Sequence, residues 1–285
     1  MHTVLELIQL TSDYFAKKQI ESPRLNAELL LAHVLHCKRL ELYLMFDKPI
    51  QEAELTQYRS CIKQRAERMP LQYIMGEVEF YGFPFKVSPA ALIPRQETEI
   101  LVEKANALAT AAFTEPRILD IGCGSGIIPI SLARLLPNAK LSAVDISTEA
   151  IALSRQNAEL NSVTDRIIFY TADIAAVDAG QTGTFDMIVS NPPYVSKEEF
   201  PTLQEEIVKY EPAIAVTDSG DGYSFYHLIT EKSKQLLNSG GYLLFEMGIG
   251  QSEKITGLLE ANGFSEIIVH KDYQNIDRVI QGKRS

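Results

Sequence analysis

The chain reads as an α/β protein built on a parallel sheet and preceded by a small helical region. Three observations lead there. From Arg117 onward, short β-rich runs alternate with helical stretches, the pattern of a parallel sheet with helices on both faces. The turn Asp120-Ile121-Gly122-Cys123-Gly124-Ser125-Gly126 follows the first of these runs and opens a helix. The last two runs, SEIIVH and DRVIQG, are joined only by a short polar loop. No crossover helix fits there, so that pair is expected to be antiparallel.

Residues 1–75 carry helical signals alone. Val4, Leu5, Ile8 and Leu10 lead into Tyr14 and Phe15 at helical spacing, and Leu25, Leu29, Leu30, Val34 and Leu35 repeat the pattern. Ser22 before Pro23 marks a helix start, a cap followed by proline at the first helical position. A third helix is expected from about Gln51 to Arg68, stopping near Pro70. Residues 76–93 gather Val78, Phe80, Phe83, Phe85 and Val87 around Tyr81-Gly82, a β-hairpin joining two domains. Residues 94–285 form the second domain, starting with a helix from Pro94 to about Ala112. The expected strands are RILDIG, KLSAVDI, RIIFYTAD, TFDMIVS, GYLLFEMG and the final pair. Helices are expected near 127–136, 148–161, 224–238 and 251–262.

Composition excludes several classes. With 46% apolar residues in 285, the chain can bury a real core, which sets aside disorder. A net charge of -10 argues against holding nucleic acid by bulk electrostatics. The charge is uneven: residues 1–75 hold ten Lys/Arg against nine Asp/Glu, and the remainder holds 17 against 28. The start has no basic segment leading into an apolar run, so no signal peptide is expected. No apolar stretch nears the roughly 20 residues that span a bilayer. Three cysteines make no disulfide framework, and a cytoplasmic setting is the expectation. His33, His36 and Cys37 share one helix but lack a fourth ligand, so no metal site is expected.

The glycine turn allows close backbone approach to a ligand. Its spacing is G-x-G-x-G, with Ile127 where a dinucleotide fingerprint continues, which tilts away from a pyrophosphate cofactor. Asp145 ends the second strand, 23 residues after Gly122. An acid there can accept hydrogen bonds from both ribose hydroxyls; the competing role, capping the next helix, falls to Ser147. Asp173 ends the third strand, where an acid can meet an adenine amino group and Ile174 can pack on the ring; a solvated strand-end acid is the other reading.

These segments resemble the cofactor motifs of class I S-adenosylmethionine methyltransferases, whose Rossmann-like fold is a seven-stranded sheet with an antiparallel last strand. The resemblance implies S-adenosylmethionine as cofactor, with S-adenosylhomocysteine as product. Residues 122–126, including Gly122, Cys123, Gly124, Ser125 and Gly126, would pass under the methionine part. Asp120 would lie near its amino group, Asp145 at the ribose, and Asp173 with Ile174 at adenine.

Asn191-Pro192-Pro193-Tyr194 follows the fourth strand directly, at the sheet edge where α/β folds place chemistry. Two prolines remove two backbone donors, so the loop presents carbonyls with little competing N–H. Asn191 adds an acceptor oxygen, and Tyr194 a flat face for stacking. Convergent acceptors suit a substrate that donates two N–H bonds from one planar nitrogen. Such a nitrogen is a poor nucleophile, and holding it in line with an activated methyl can supply roughly 7–11 kcal/mol of the barrier. The proton is expected to leave to water; no residue is assigned as general base. This motif resembles that of enzymes methylating adenine N6, cytosine N4 or glutamine N5.

Over nearly its full length the chain resembles the HemK/PrmC family of peptide chain release factor glutamine methyltransferases. The resemblance rests on the N-terminal helices, the hairpin, the 92–99 segment Leu-Ile-Pro-Arg-Gln-Glu-Thr-Glu, and Phe245-Glu246-Met247-Gly248 with Gln251. Gln96 stands where the family usually has proline. The resemblance implies N5-methylation of the glutamine in the Gly-Gly-Gln loop of bacterial-type release factors. The Asn191 side-chain oxygen and Pro192 carbonyl would hold the amide, with Tyr194 packing beside it and Pro193 part of the same substrate loop. A substrate-docking role is expected for the near-neutral residues 1–75, with no direct nucleic-acid partner, no membrane and a monomeric state. For Arg95, Glu97 and Glu99 a solvated helix start is one reading and no role is assigned; Glu205-Glu206 is read as a solvated face, with a border of the substrate entrance as the alternative. The rival readings are an adenine N6-methyltransferase acting on DNA or RNA, and a non-catalytic cofactor-binding module. The acidic second domain and the absence of a basic, aromatic target-recognition insertion weigh against the first.

Overall fold

The computed structural model describes residues 2–285 and divides into two compact units. The smaller comprises Met1–Gly76 with Gln204–Tyr210; the larger comprises Glu77–Leu203 with Glu211–Ser285.

The smaller unit is helical: α1 (Val4–Lys17), α2 (Pro23–Val34), α3 (Glu52–Ala66) and α4 (Leu71–Met75). Thr3 opens α1 with a capping box shared with Glu6, which satisfies two otherwise orphaned N–H groups. Ile8, Phe15, Leu30, Leu31 and Tyr58 form its core, and the Tyr58 hydroxyl donates to the Ala27 carbonyl at 3.0 Å. Two expectations are corrected here. Ser22 makes no side-chain cap; it sits at φ 47, in the left-handed region, and Pro23 alone starts the helix. Glu206 is not solvated, because its segment folds against the helices of this unit. Buried Arg65 donates to Glu206 at 3.0 Å and to the Asn26 side chain at 2.8 Å, and Glu205 pairs with Arg68.

The larger unit begins with the hairpin of β1 (Glu77–Phe80) and β2 (Phe83–Lys86), paired antiparallel. Phe80 and Phe85, edge to face, sit in the same apolar cluster as Leu101, Ile118 and Ile130, so the hairpin is part of the sheet domain's core. Then follow α5 (Thr98–Ala112), β3 (Arg117–Ile121), α6 (Ile127–Leu135), β4 (Lys140–Asp145), α7 (Thr148–Leu160), β5 (Ile167–Thr171), α8 (Ala179–Thr182) and β6 (Phe185–Ser190). The short α9 (Glu205–Tyr210) belongs to the helical unit. The chain closes with α10 (Ser224–Leu236), β7 (Leu237–Glu246), α11 (Ser252–Ala261), β8 (Phe264–Lys271) and β9 (Asp277–Arg284). The seven-stranded sheet runs β5-β4-β3-β6-β7-β9-β8. β3 to β7 pair in parallel, and β9 is antiparallel to both β7 and β8. The order reverses direction at β3, whose neighbours are β4 and β6, the switch point where such sheets bind ligands.

Residues 94–97 are not helical; α5 starts only at Thr98. The stretch before it is held by Glu211, whose carboxylate accepts from the Ile93 backbone N–H at 3.0 Å and from the Arg95 guanidinium at 2.6 Å. A buried carboxylate with two such partners outweighs the helix propensity of a few residues. Arg95 is therefore paired. Glu99 accepts from the Tyr81 N–H at 2.7 Å, so neither residue is merely part of a solvated helix start.

Candidate active site

A cavity of about 610 Å³ opens at the C-terminal edge of the parallel strands, within the size range of small-molecule and cofactor sites. Of the residues singled out in the sequence, Gly122, Cys123, Gly124, Ser125, Asp145, Asp173, Ile174, Asn191, Pro192 and Pro193 all line it. Asp120, Gly126 and Tyr194 stand outside the lining.

The glycine turn is shaped by backbone conformation. Gly122, Gly124 and Gly126 all have positive φ, and a Cβ on Gly126 would come within 2.9 Å of Ile130 and 3.0 Å of Ser154. Two polar side chains one helical turn apart on α7 hold the turn from behind. Ser154 donates to the Gly124 carbonyl at 2.7 Å. Asn157, fully buried, donates to the carbonyls of Ser125 and Lys86 and accepts from the Lys86 N–H. Asn157 thereby ties the hairpin to the turn, which the sequence reading missed. The available signal was a Ser and an Asn among the apolar positions Ala150, Ile151, Leu153 and Ala158.

Asp145 accepts from the Gly124 N–H and the Ser147 N–H, each at 2.9 Å, so its carboxylate is oriented by both rims of the turn. Ser147 caps α7. Asp173 accepts from the Ala175 N–H at 2.8 Å and opens a short 3₁₀ turn containing Ile174. Asp120 is fully buried on β3, and neither of its carboxylate oxygens has a partner. Burial, then the charge of Asp145, pushes its pKa well above the usual carboxylate range. Burial likewise raises the Cys123 thiol, with Asp120 and Asp145 adding to it; Cys123 is a small wall residue, not a reactive thiolate.

At the other end, Ser190 closes β6 by donating to the Ile121 carbonyl at 2.7 Å. The Asn191 Nδ2 donates to the Thr98 hydroxyl at 3.2 Å. Tyr194 packs into the apolar cluster around Phe245 and Met247 rather than facing the cavity. Its carbonyl accepts from the Gln251 Nε2 at 3.1 Å, while the Gln251 Oε1 takes the Gly248 N–H and the Tyr226 hydroxyl. Gly222 leaves room for that carbonyl: a Cβ there would lie 2.5 Å from it. Burial raises the Tyr194 hydroxyl above its ordinary value, with the Glu246 charge second, so Tyr194 stays neutral. Glu246 ends β7 fully buried, and burial pushes its carboxyl up to about 7.

Comparison with known proteins agrees with this geometry. A family profile described as the PrmC N-terminal domain matches residues 6–76, and one described as the methyltransferase small domain matches residues 96–221. The release factor glutamine methyltransferase of Chlorobaculum tepidum is 41% identical over 97% of this chain and 95% of that protein. The protein of the same name from Geobacter sulfurreducens is 41% identical over 99% of this chain and 96% of its own length. Among solved structures, the hMettl16 catalytic domain in complex with the MAT2A 3′UTR hairpin 6 superposes with a TM-score of 0.57. It is 16% identical and covers 81% of this chain and 82% of that one, a likeness of fold alone. With its cavity, its glycine turn and its Asn-Pro-Pro-Tyr loop on one sheet edge, the chain belongs to the release factor glutamine methyltransferase family and is an S-adenosylmethionine-dependent methyltransferase.

Proposed function

We propose that this chain transfers the methyl group of S-adenosylmethionine to the side-chain amide N5 of the glutamine in the Gly-Gly-Gln motif of peptide chain release factors. The observation that carries the reading is one cavity lined both by the glycine turn with Asp145 and by Asn191, whose Nδ2 donates to Thr98. With its donor side turned to Thr98, the Asn191 amide has its Oδ1 left to accept.

The residues fit the cofactor. Asp120 offers two unpartnered carboxylate oxygens, which an ammonium group satisfies, and that charge also relieves the cost of a buried anion. We assign the methionine part to residues 122–126, the ribose hydroxyls to Asp145, and the adenine to Asp173 with Ile174. When bound, S-adenosylmethionine supplies a methyl group activated by its sulfonium. The chain aligns the acceptor: the Asn191 Oδ1 and the Pro192 carbonyl take the two amide hydrogens, and the Pro192-Pro193 pair keeps the loop rigid. An amide nitrogen so held would take the methyl group in line, the N–CH₃ bond forming as the S–CH₃ bond broke with its electron pair left on sulfur, and the amide proton would pass to water. Tyr194 acts by fixing the loop from the apolar side. We assign release-factor docking to the near-neutral helical region, no direct contact with nucleic acid, a monomeric state and a cytoplasmic setting. No described helix is long and apolar enough to cross a membrane.

The test is methyl transfer from labelled S-adenosylmethionine to a purified release factor and to its Gln→Ala variant in the Gly-Gly-Gln motif. Label is expected on the first alone. Equal labelling of both would overturn the glutamine assignment.

A further inference from the structure

The Asn191 side chain is symmetric in shape but not in chemistry: turned over, it would offer the acceptor an NH₂ group in place of an oxygen. Thr98 cannot decide between the two orientations, because its hydroxyl both donates and accepts. The deciding group sits on the neighbouring strand. β6 and β7 are in register at Ser190 and Phe245, so Asn191, the first residue after β6, and Glu246, the last of β7, both follow that pair. Glu246 is 1% exposed and Thr98 likewise. Thr98 and Asn191 lie close enough to the carboxyl for each to lower its pKa, while its Oε2 has no partner.

We propose that Glu246 is a positioning residue for the methyl transfer, holding the Asn191 amide with its Nδ2 inward and its Oδ1 toward the acceptor. The proposal rests on the reading of Asn191 as the amide clamp. An ionised carboxylate can only accept hydrogen bonds. It attracts the Nδ2 face and repels the Oδ1 face, so one orientation is enforced.

A purely structural role fits the observations poorly. A buried carboxylate needs a partner charge to break even. The cation that acts on it, Arg278 on β9, is committed to Asp272 at 3.1 Å and to the Met247 carbonyl at 3.4 Å. Glu97, just before α5, adds repulsion. The other titratable groups that feel its charge are Tyr194 in the loop after β6 and Tyr226 on α10. A neutral glutamine would fill this space at lower cost. With its pKa raised to about 7 by burial, the carboxyl enforces the orientation above neutrality and relaxes it below.

The experiment is steady-state methylation of a purified release factor by the full chain carrying Glu246→Gln, an isostere without charge. At pH 8, kcat is expected to fall at least tenfold, with KM for the release factor and the Kd for S-adenosylmethionine unchanged within twofold. Wild-type kcat should rise through about pH 7 and the variant's should not. Glu246→Asp should recover part of the loss. In an Asn191→Ala background, Glu246→Gln should add nothing. A Gln variant with wild-type kcat, or one whose loss matches a loss of folded protein by circular dichroism, overturns the proposal. Asn191→Ala with unchanged kcat would instead overturn the clamp reading beneath it.

Discussion

The two ends of the cavity are built on different principles. At the cofactor end, the groups that shape the wall are mostly backbone: a glycine turn with three positive φ values, its carbonyls held by Ser154 and Asn157. At the proposed acceptor end the reading rests on one side chain, Asn191, which donates to Thr98 and lies near Glu246, while Gln251 holds the loop that follows. Backbone geometry is stiff once glycine permits it. A side-chain amide must be oriented by neighbours that arrive from elsewhere in the chain. The cofactor end is therefore expected to fail in affinity and the acceptor end in turnover.

The largest effect should separate the ends most cleanly. Asn191→Ala is expected to lower kcat by about 100-fold or more, the scale of losing one preorganised transition-state contact. Calorimetric binding of S-adenosylmethionine should stay unchanged. Parallel losses in both would mean the two ends are not separable.

A second prediction concerns the buried charge kept at the acceptor end. The Glu246 carboxyl is raised from 4.5 to about 7, so the native chain holds a proton that the unfolded chain releases. The stability from that proton is complete below about pH 4.5, is lost as the pH rises through about 7, and is level beyond. Two and a half units correspond to roughly 3 kcal/mol. Urea unfolding at pH 5 and pH 8 should show this loss in the wild type relative to Glu246→Gln. Equal pH dependence in both would remove Glu246 as its source.

The smallest expected effect lies at the cofactor end. Asp145→Ala should weaken S-adenosylmethionine about tenfold, the worth of a charge-assisted hydrogen bond, with kcat at saturation preserved. A fall in kcat without loss of affinity would move Asp145 from binding to catalysis.

How far the sequence carries differs along the same lines. The places of Gly122, Asp145 and Asn191 on the cavity wall were legible because each sits at a strand end and its residue type suits a purely local role. Gly122 permits positive φ, Asp145 accepts hydrogen bonds, and Asn191 places an amide directly after a strand. Glu246 is a charged residue in the apolar run Leu243-Leu244-Phe245-Glu246-Met247, and it drew notice only as part of a family segment, without a role. Tyr194 was read as a stacking face, yet it packs away from the cavity lining, because the Gln251 and Gly222 contacts that turn its loop lie far along the chain. The start of α5 was placed four residues early, since nothing near Pro94 announces the pairing of Arg95 with Glu211 across more than a hundred residues.

By itself the sequence determined the alternation that makes a parallel sheet, the antiparallel final pair, the glycine turn, and the presence of an amide at the edge of the fourth sheet strand. These follow from periodicity and from backbone rules that act over a few residues. Only the tertiary structure decided which way that amide faces, which carboxyls are buried without partners, and which polar side chains brace the turn. Each of those depends on solvent exclusion and on partners brought together by strand pairing, and neither exists until the sheet has formed.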